Sequence, residues 1–284
     1  MTIRAVTDTE LENYWRDGVA KLPGLVSAPL VEAITDALDA QIENPSQWGG
    51  TGKQRSDRCF GIDDAMLRSY LTHETMGENA ARAMRTSSAN FFFDHMFLFE
   101  ADSPVDDHYW HQDLPYWPVE GEHIVSFWLS LTNCTAETAA LKFVPGTHRN
   151  DGFYRPKSFD GSTLVGDLGE RASLAIDASA DFLDQPAPAF HVDPAAHGVR
   201  EYAYAPGDAV MFSTKIVHSS GGNRSKTSRR LAYSARYFGS DARHTLRQGV
   251  FQDPALLPDA DEPFEVGAPM RSRRWPQVFP VEAP

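Results

Sequence analysis

Residues 209–238 read AVMFSTKIVHSSGGNRSKTSRRLAYSARYF and contain two β-strand candidates separated by a Gly-Gly-Asn turn signal. In the first strand, alternate residues from Val210 onward form a mostly apolar face that ends near His218. The second strand is rich in aromatic and small residues and ends at Phe238. Short strands of this kind, closed by turns, predict an all-β sandwich or barrel.

Further strand candidates precede this stretch, and helix candidates precede those. The segments FFFDHMFLFE (91–100), HIVSFWLSLTN (123–133) and ALKFVPGTH (140–148) are short, rich in β-forming residues and closed by turns. Apolar residues at helical spacing predict helices over 11–22 and 29–42, and 63–86 is a weaker helix candidate. The sequence therefore predicts a helical N-terminal region packed on a β-core.

The pattern predicts one domain over 1–284 with three parts. Residues 1–88 are expected to be mainly helical, 89–240 to form the β-core, and 241–284 to form an irregular tail. Within the core, 150–200 is rich in Gly, Pro and Asp. A loop of this length inside a domain is typical of a lid or a binding loop, so we expect it to determine substrate specificity.

Charge and cysteine content argue against several classes of function. The chain has 39 acidic and 26 basic residues and a net charge of −13, which disfavours nucleic acid as a partner. Two cysteines, Cys59 and Cys134, argue against a disulfide framework and against a cysteine-built metal cluster. No apolar run reaches bilayer length, and MTIRAVTDTE lacks the apolar segment of a secretory signal. We therefore expect a cytoplasmic protein without a membrane partner, whose oligomeric state the sequence leaves open.

A candidate metal site lies in HYWHQDLPYW, residues 108–117. His111 and Asp113 are two residues apart, so both would project from the same side of a strand, with Gln112 facing away. With one more histidine they would form a set of two His and one carboxylate, which suits non-haem Fe(II) and oxygen chemistry. The motif alone is weak, because chance gives ~1.4 matches to His-x-acid in this composition. His191-Val192-Asp193 is a second match.

His218 and an arginine that follows it distinguish the two motifs. Arg229 shares a strand side with Leu231 and Tyr233, whereas Arg230 points to the other side. An arginine on an apolar face needs a buried anionic partner, and no acidic residue lies in this strand to supply it. A dicarboxylate ligand would supply the partner through a bidentate guanidinium–carboxylate pair.

At these residues the chain resembles the phytanoyl-CoA dioxygenase family of Fe(II)/2-oxoglutarate-dependent oxygenases. The segments that carry the resemblance are HQDLPYWP, IVSFWLSL, ALKFVPGTHR, VHSSGGNRSKTSRRLAYSARY and, near the N-terminus, YWRDGVAKLPGLVSAPLVEAI. The resemblance covers roughly residues 10–240. It implies a double-stranded β-helix (a cupin-like jelly roll) with flanking helices. It also implies a dioxygenase that uses Fe(II), O2 and 2-oxoglutarate to hydroxylate a small molecule, releasing succinate and CO2.

The resemblance also implies roles for individual residues. The iron ligands would be His111, Asp113 and His218, and these three would form the catalytic centre. Arg229, 11 residues after His218, would anchor the distal carboxylate of 2-oxoglutarate. The other residues expected to contact the cosubstrate are Ser220, Trp128, Ser130 and His108, the last of which stands where the family often has an amide side chain.

Other classes of function stay open at this point. A metal-dependent hydrolase or isomerase on a cupin-like barrel would not require Arg229, and a non-catalytic small-molecule-binding jelly roll would not require any chemistry. A zinc site of His108, His111 and Asp113 is disfavoured, because His108 and His111 have opposite strand parity. The sequence does not reveal the substrate, nor whether the outcome is hydroxylation, desaturation, cyclisation or demethylation.

Overall fold

The computed structural model describes residues 2–104, 109–156, 173–177, 181–183, 187–248 and 252–280. The helices in this part of the chain are α1 (Asp8–Asp17), α2 (Ala28–Glu43), α3 (Ala65–Leu71) and α4 (Glu74–Met84). The strands are β1 (Val19–Leu22), β2 (Gln54–Arg58), β3 (Ala89–Phe99), β4 (Val119–Glu120), β5 (Ile124–Ser130), β6 (Leu141–Phe143), β7 (Arg200–Glu201), β8 (Ala209–Ser213), β9 (His218–Ser220), β10 (Arg230–Phe238), β11 (Arg243–His244) and β12 (Gln277–Phe279).

Local signals set the ends of the helices. A capping box of Thr7 and Glu10 begins α1, and Gly18, with φ of 80°, ends it. The helix predicted over 11–22 is therefore too long at its C-terminal end, and Val19–Leu22 forms β1 instead. The helix predicted over 29–42 corresponds to α2, whereas the candidate over 63–86 is two helices, because His73 caps the start of α4. Within the described residues, no helix has the length and apolarity needed to cross a bilayer.

The large sheet is antiparallel and draws strands from all three predicted parts of the chain. Its order is β1-β8-β5-β10-β3-β12, with β2 also paired to β3. The N-terminal part thus contributes β1 and β2 in addition to helices, and the tail expected to be irregular contributes β12. These strands have only three to five residues each, and β2 reads QRSDR, so alternation did not reveal them.

Both faces of the large sheet are buried. One face packs against the helices through a core that includes Leu231 and Tyr233 of β10 with Leu38 of α2. The other face packs against a small sheet of order β7-β6-β9, through a second core that includes Trp128 and Phe143. The two sheets form a jelly roll, and all nine residues of β10 are buried because the strand lies between the two cores.

The described parts of the 150–200 segment pack beside the metal-site motif. Trp110 contacts the ring of Phe190 at a centroid distance of 5.3 Å, and its Nε1 donates a hydrogen bond of 3.3 Å to Nδ1 of His191. Farther along, Phe153 and Phe182 form an isolated bridge. Trp110 immediately precedes His111 in the chain, and the role of the 150–200 segment as a lid stays a prediction.

Candidate metal centre

Three side chains from two separate parts of the chain converge in the interior of the jelly roll. Ligand atoms of His111, Asp113 and His218 all lie within 4.8 Å of one another. Oδ1 of Asp113 is 3.5 Å from Nε2 of His111 and 3.7 Å from Nε2 of His218. The sequence predicted this grouping, and among the described residues it is the cluster that meets the geometric requirement for a metal site.

Backbone contacts hold the two histidines together. The amide of His111 donates to the carbonyl of His218 at 3.0 Å, and the amide of His218 donates back at 2.9 Å. In each ring, Nδ1 lies 3.1 Å from a backbone carbonyl, that of Tyr109 for His111 and that of Ile216 for His218. A proton on Nδ1 satisfies each carbonyl, so the lone pair of Nε2 is directed towards the centre, as metal ligation requires.

Asp113 reaches the centre by a different route from the one predicted. The segment 111–113 is not a continuous strand, because His111 forms only an isolated bridge and Asp113 has helical dihedrals of −70° and −44°. Gln112 does face away, as expected, and its side chain donates to the carbonyl of Lys215 at 2.7 Å and accepts from the amide of Tyr154 at 2.9 Å. These bonds fix the turn that points Asp113 inward.

The electrostatic environment favours an anionic carboxylate beside a neutral imidazole. Burial and the neighbouring His111 lower the pKa of His218 to about 4. Burial acts to raise the pKa of Asp113, but the charge that His218 carries when it is protonated and the permanent charge of Arg236 outweigh it and hold that pKa below its usual value. A neutral histidine and an ionised aspartate are the forms that bind a divalent cation.

The arginine that faces the interior is Arg230, not Arg229 as predicted. Arg229 makes a bidentate ion pair with Asp39 of α2, at 2.8 and 2.9 Å, and its side chain is 36% exposed. Arg229 and Arg230 do project from opposite faces of the strand, as predicted. However, the face that carries Arg229 is not the one that lines the jelly-roll interior. The more apolar side of β10 packs on the helices, and Arg229 therefore lies at the edge of that layer rather than in the jelly-roll interior.

Arg230 has the properties that were expected of Arg229. It is 2% exposed, and its Nε and Nη1 have no hydrogen-bond partner in the part of the chain that the structure describes. The guanidinium carbon lies 4.1 Å from the ring centroid of Phe99 and 5.6 Å from that of Trp128. A buried guanidinium without a protein anion indicates a binding site for an anionic ligand.

The remaining residues predicted to contact the cosubstrate differ in how well their positions suit that role. Trp128 lies on the interior face beside Arg230, as the prediction requires. Ser130 lies on the same face, but its hydroxyl donates to the carbonyl of Thr132 at 2.8 Å. Ser220 lies in β9 two residues after His218, and its contact with a cosubstrate stays a prediction. His108 lies outside the described residues.

Sequence reasoning missed several polar groups on the interior face. Arg236 is 4% exposed, and its Nε and Nη1 lack partners among the described residues. The hydroxyls of Ser126 and Ser234 and Nε2 of His95 are likewise buried without a hydrogen-bond partner among the described residues. The signal was present in the alternation of β10, where Arg230, Ser234 and Arg236 share one side. This side was predicted only to lie opposite Arg229, although it is the side that faces the site.

The Arg229–Asp39 pair predicts a small effect on stability. Replacing Arg229 by alanine is expected to lower the free energy of unfolding by less than about 1 kcal/mol, because both partners are partly exposed and screened by solvent. Chemical denaturation of Arg229→Ala, Asp39→Ala and the double variant measures this coupling. A loss above about 2 kcal/mol for the arginine variant would mean that Arg229 is a buried anchor after all.

Fold and site together define a class of protein. A jelly roll that presents two histidines and one aspartate in its interior has the ligand set of the non-haem Fe(II) oxygenases. The family model described as phytanoyl-CoA dioxygenase (PhyH) matches residues 14–231, and the chain belongs to this family.

Individual relatives agree with this assignment. A "Probable phytanoyl-CoA dioxygenase" of Caenorhabditis elegans is 26% identical over 199 residues, which is 67% of this chain and 57% of the relative. The epimerase SnoN, solved with Fe3+, alpha ketoglutarate and nogalamycin RO, has a TM-score of 0.69 at 18% identity, covering 95% of this chain and 98% of SnoN. EctD from S. alaskensis, solved with 2-oxoglutarate and 5-hydroxyectoine, has a TM-score of 0.69 at 17% identity, covering 94% of this chain and 88% of EctD. The chain spans 56% and 57% of the length of the curated relatives that it matches.

Proposed function

We propose that this chain is an Fe(II)- and 2-oxoglutarate-dependent dioxygenase that hydroxylates a small organic molecule and releases succinate and CO2. The observation that carries the proposal is the His111–Asp113–His218 cluster in the jelly-roll interior, on whose large sheet the guanidinium of Arg230 is buried, with Nε and Nη1 unpartnered among the described residues. Proteins of similar fold have been solved with iron and with 2-oxoglutarate bound, which supports the same cofactors here.

The donor set fits a ferrous ion. Two imidazole nitrogens and one carboxylate oxygen are arranged around one point, and three protein ligands leave coordination positions for a chelating cosubstrate and for O2. The Nδ1–carbonyl bonds of His111 and His218 fix both rings in the ligating orientation. Phe143 and Phe212 pack against the ring of His218 at 5.9 and 5.1 Å, and this apolar support limits access of water.

Arg230 is the residue that fits the distal carboxylate of 2-oxoglutarate. Its guanidinium lies between Phe99 and Trp128, and these rings restrict its rotation and leave its N–H edges for a bidentate bond. Ser220, next but one to a ligand on β9, and Trp128 are the further residues that we assign to this subsite. Together these groups would hold the diacid in one orientation relative to the ion.

The chain's contribution to the reaction is binding and orientation in a dry cavity. When bound, the ferrous ion and 2-oxoglutarate supply the oxidising chemistry, coupled to release of succinate and CO2. Asp113 and the two histidines keep the ion in place, and Arg230 fixes the diacid. Phe190 of the 150–200 segment packs against Trp110, next to His111 in the chain, and we assign the segment to substrate enclosure.

Anaerobic absorption spectroscopy tests the proposal. Adding Fe(II) and 2-oxoglutarate to the protein is expected to produce a weak visible charge-transfer band, because the diacid chelates the ion at an open site. Admission of O2 with a panel of small-molecule substrates is then expected to give succinate in step with substrate loss. Absence of both the band and oxygen uptake would contradict the proposal and favour a hydrolase, an isomerase or a binding protein on the same barrel.

The product must be identified separately from succinate. Similar structures include those of an alpha ketoglutarate dependent epimerase and an alpha ketoglutarate dependent carbocyclase, so the same fold accompanies more than one outcome. Mass spectrometry of the product separates a gain of one oxygen from a loss of two hydrogens or from an unchanged mass. A gain of one oxygen is the result expected for hydroxylation.

A further inference from the structure

The proposed function leaves one buried positive charge in the site without a role. Arg236 lies on the same face of β10 as Arg230, six residues farther along, so the two arginines are about 20 Å apart along the strand. The ring centroids of Phe93 and Trp117 lie 4.6 and 5.5 Å from its guanidinium carbon. Its side chain is 5% exposed, and Nε and Nη1 have no partner in the described chain.

Asp113 lies beside this charge, but the two side chains make no hydrogen bond. Nη2 of Arg236 is 4.0 Å from Oδ2 of Asp113, which is too long for a hydrogen bond, and Oδ2 itself has no partner among the described residues. Asp94 belongs to the opposite face of β3, where its Oδ2 accepts a hydrogen bond from the amide of Gly61. Asp113 is moreover required by the metal ion.

Charge balance in the loaded site points to a missing anion. A ferrous ion and Arg230 carry three positive charges, and Asp113 with doubly ionised 2-oxoglutarate carries three negative charges. The loaded centre is therefore neutral without Arg236, whose charge remains in excess in a buried environment. The distal carboxylate of the diacid can form a bidentate pair with only one of the two arginines, and the proposed function assigns it to Arg230.

Other polar groups without partners lie beside Arg236. Ser126 is directly opposite Arg236 in the register of β5 and β10, and its buried hydroxyl has no partner in the part of the chain that the structure describes. Two residues before Arg236, on the same face of the sheet, Ser234 lies opposite His95 of β3. Both have side-chain atoms without hydrogen-bond partners within the described residues. A carboxylate placed at Arg236 would accept hydrogen bonds from the guanidinium and from Ser126.

We infer that the primary substrate carries a carboxylate, and that Arg236 with Ser126 binds it on the side of the metal centre away from the 2-oxoglutarate subsite. The inference rests on the proposed function and narrows its substrate class. It also accounts for how a chain with a net charge of −13 accepts an anionic substrate, because the positive charge is concentrated inside the site.

Matched acid and amide probes test this inference. Benzoate is compared with benzamide, and butyrate with butyramide, on wild-type protein at saturating Fe(II) and 2-oxoglutarate under anaerobic conditions. Affinity is measured both by the change in the charge-transfer band and by the ligand-induced rise in melting temperature, which needs no iron. We expect at least one acid to bind about tenfold or more tightly than its amide, because a charge-assisted bidentate pair is lost in the amide.

The variants Arg236→Gln, Arg230→Gln and Arg229→Gln identify the arginine responsible. Arg236→Gln is expected to reduce the acid-to-amide preference to below about threefold, while Fe(II) affinity and the charge-transfer band persist. Arg229→Gln, on the helix side of the same sheet, is expected to change neither the acid-to-amide preference nor the Fe(II) affinity. In thermal-shift measurements, Arg230→Gln is expected to retain the preference for acids over amides. This result separates the two arginine subsites even if the variant forms no charge-transfer band.

Three results would overturn the inference. Equal affinity for acids and amides in the wild-type protein would show that no carboxylate subsite exists. An unchanged preference in Arg236→Gln would place the subsite elsewhere. Loss of the band or of Fe(II) affinity in Arg236→Gln, with the preference retained, would make Arg236 a positioning residue for Asp113. Absence of a band in the wild-type protein would count against the proposed function alone, because the thermal-shift comparison still reports on Arg236.

Discussion

Replacing Arg230 by glutamine is expected to weaken 2-oxoglutarate binding by at least about 100-fold, since leaving one partner of a buried ion pair uncompensated costs about 3–5 kcal/mol. The reason is the position of this arginine. Its side chain lies in the jelly-roll interior with Nε and Nη1 lacking partners in the described chain, so the distal carboxylate of the diacid would be its anion. Titration of 2-oxoglutarate into the Fe(II)-loaded protein, followed by the charge-transfer band, measures the change.

Arg229→Gln is the matched control for this prediction. The two arginines are adjacent in sequence, yet Arg229 pairs with Asp39 beside the helices, and its loss is expected to leave 2-oxoglutarate affinity within about twofold. The opposite pattern, with Arg229→Gln losing the diacid and Arg230→Gln retaining it, would show that β10 has the other register in solution. Fe(II) affinity, measured by competition with a chelator, is expected to be the same in both variants.

The ligand-free protein offers a second measurement on Arg230. A buried guanidinium with partnerless N–H groups costs free energy, so Arg230→Met is not expected to lower the melting temperature without 2-oxoglutarate. Saturating 2-oxoglutarate is expected to raise the melting temperature of the wild type and not that of the variant. A marked fall in the stability of ligand-free Arg230→Met would instead indicate a structural role for the arginine.

The parts of the site that the sequence predicted correctly are those set by spacing along the chain. His111 and Asp113 lie close in sequence, and His218 follows an apolar run that had to be a buried strand. The backbone bridge between His111 and His218, by contrast, depends on how β9 packs in the small sheet, and no local pattern encodes that pairing.

The error over Arg229 shows where strand alternation stops being informative. Alternation separates two faces, but it identifies the interior only when the other face meets solvent. In β10 both faces are buried, one by helices and one by the small sheet, and the more apolar face belongs to the helix side. Arginines and serines on a fully buried strand mark the functional face, and this inference requires knowing that α2 covers the opposite one.

Replacing Asp113 by alanine is expected to lower Fe(II) affinity by more than about 100-fold, because loss of an outer-shell partner alone typically costs 10–100-fold and Asp113 would be a direct ligand. Its Oδ1 lies within 3.7 Å of both Nε2 atoms, so the variant retains the two imidazoles without the anionic oxygen that completes the two-His, one-carboxylate set. Metal titration under anaerobic conditions measures the affinity, and the charge-transfer band with 2-oxoglutarate is expected to disappear in the same variant.

Asp193→Ala is the matched control, because His191-Val192-Asp193 is the other His-x-Asp motif of the chain. Oδ1 of Asp193 accepts a hydrogen bond from the amide of Ala196 at 3.1 Å, and neither residue of this motif belongs to the metal-competent cluster found among the described residues. Its replacement is therefore expected to leave Fe(II) affinity unchanged. Equal losses in Asp113→Ala and Asp193→Ala would show that the ion binds outside the interior cluster, and an unaffected Asp113→Ala would remove the carboxylate from the ligand set on which the dioxygenase chemistry depends.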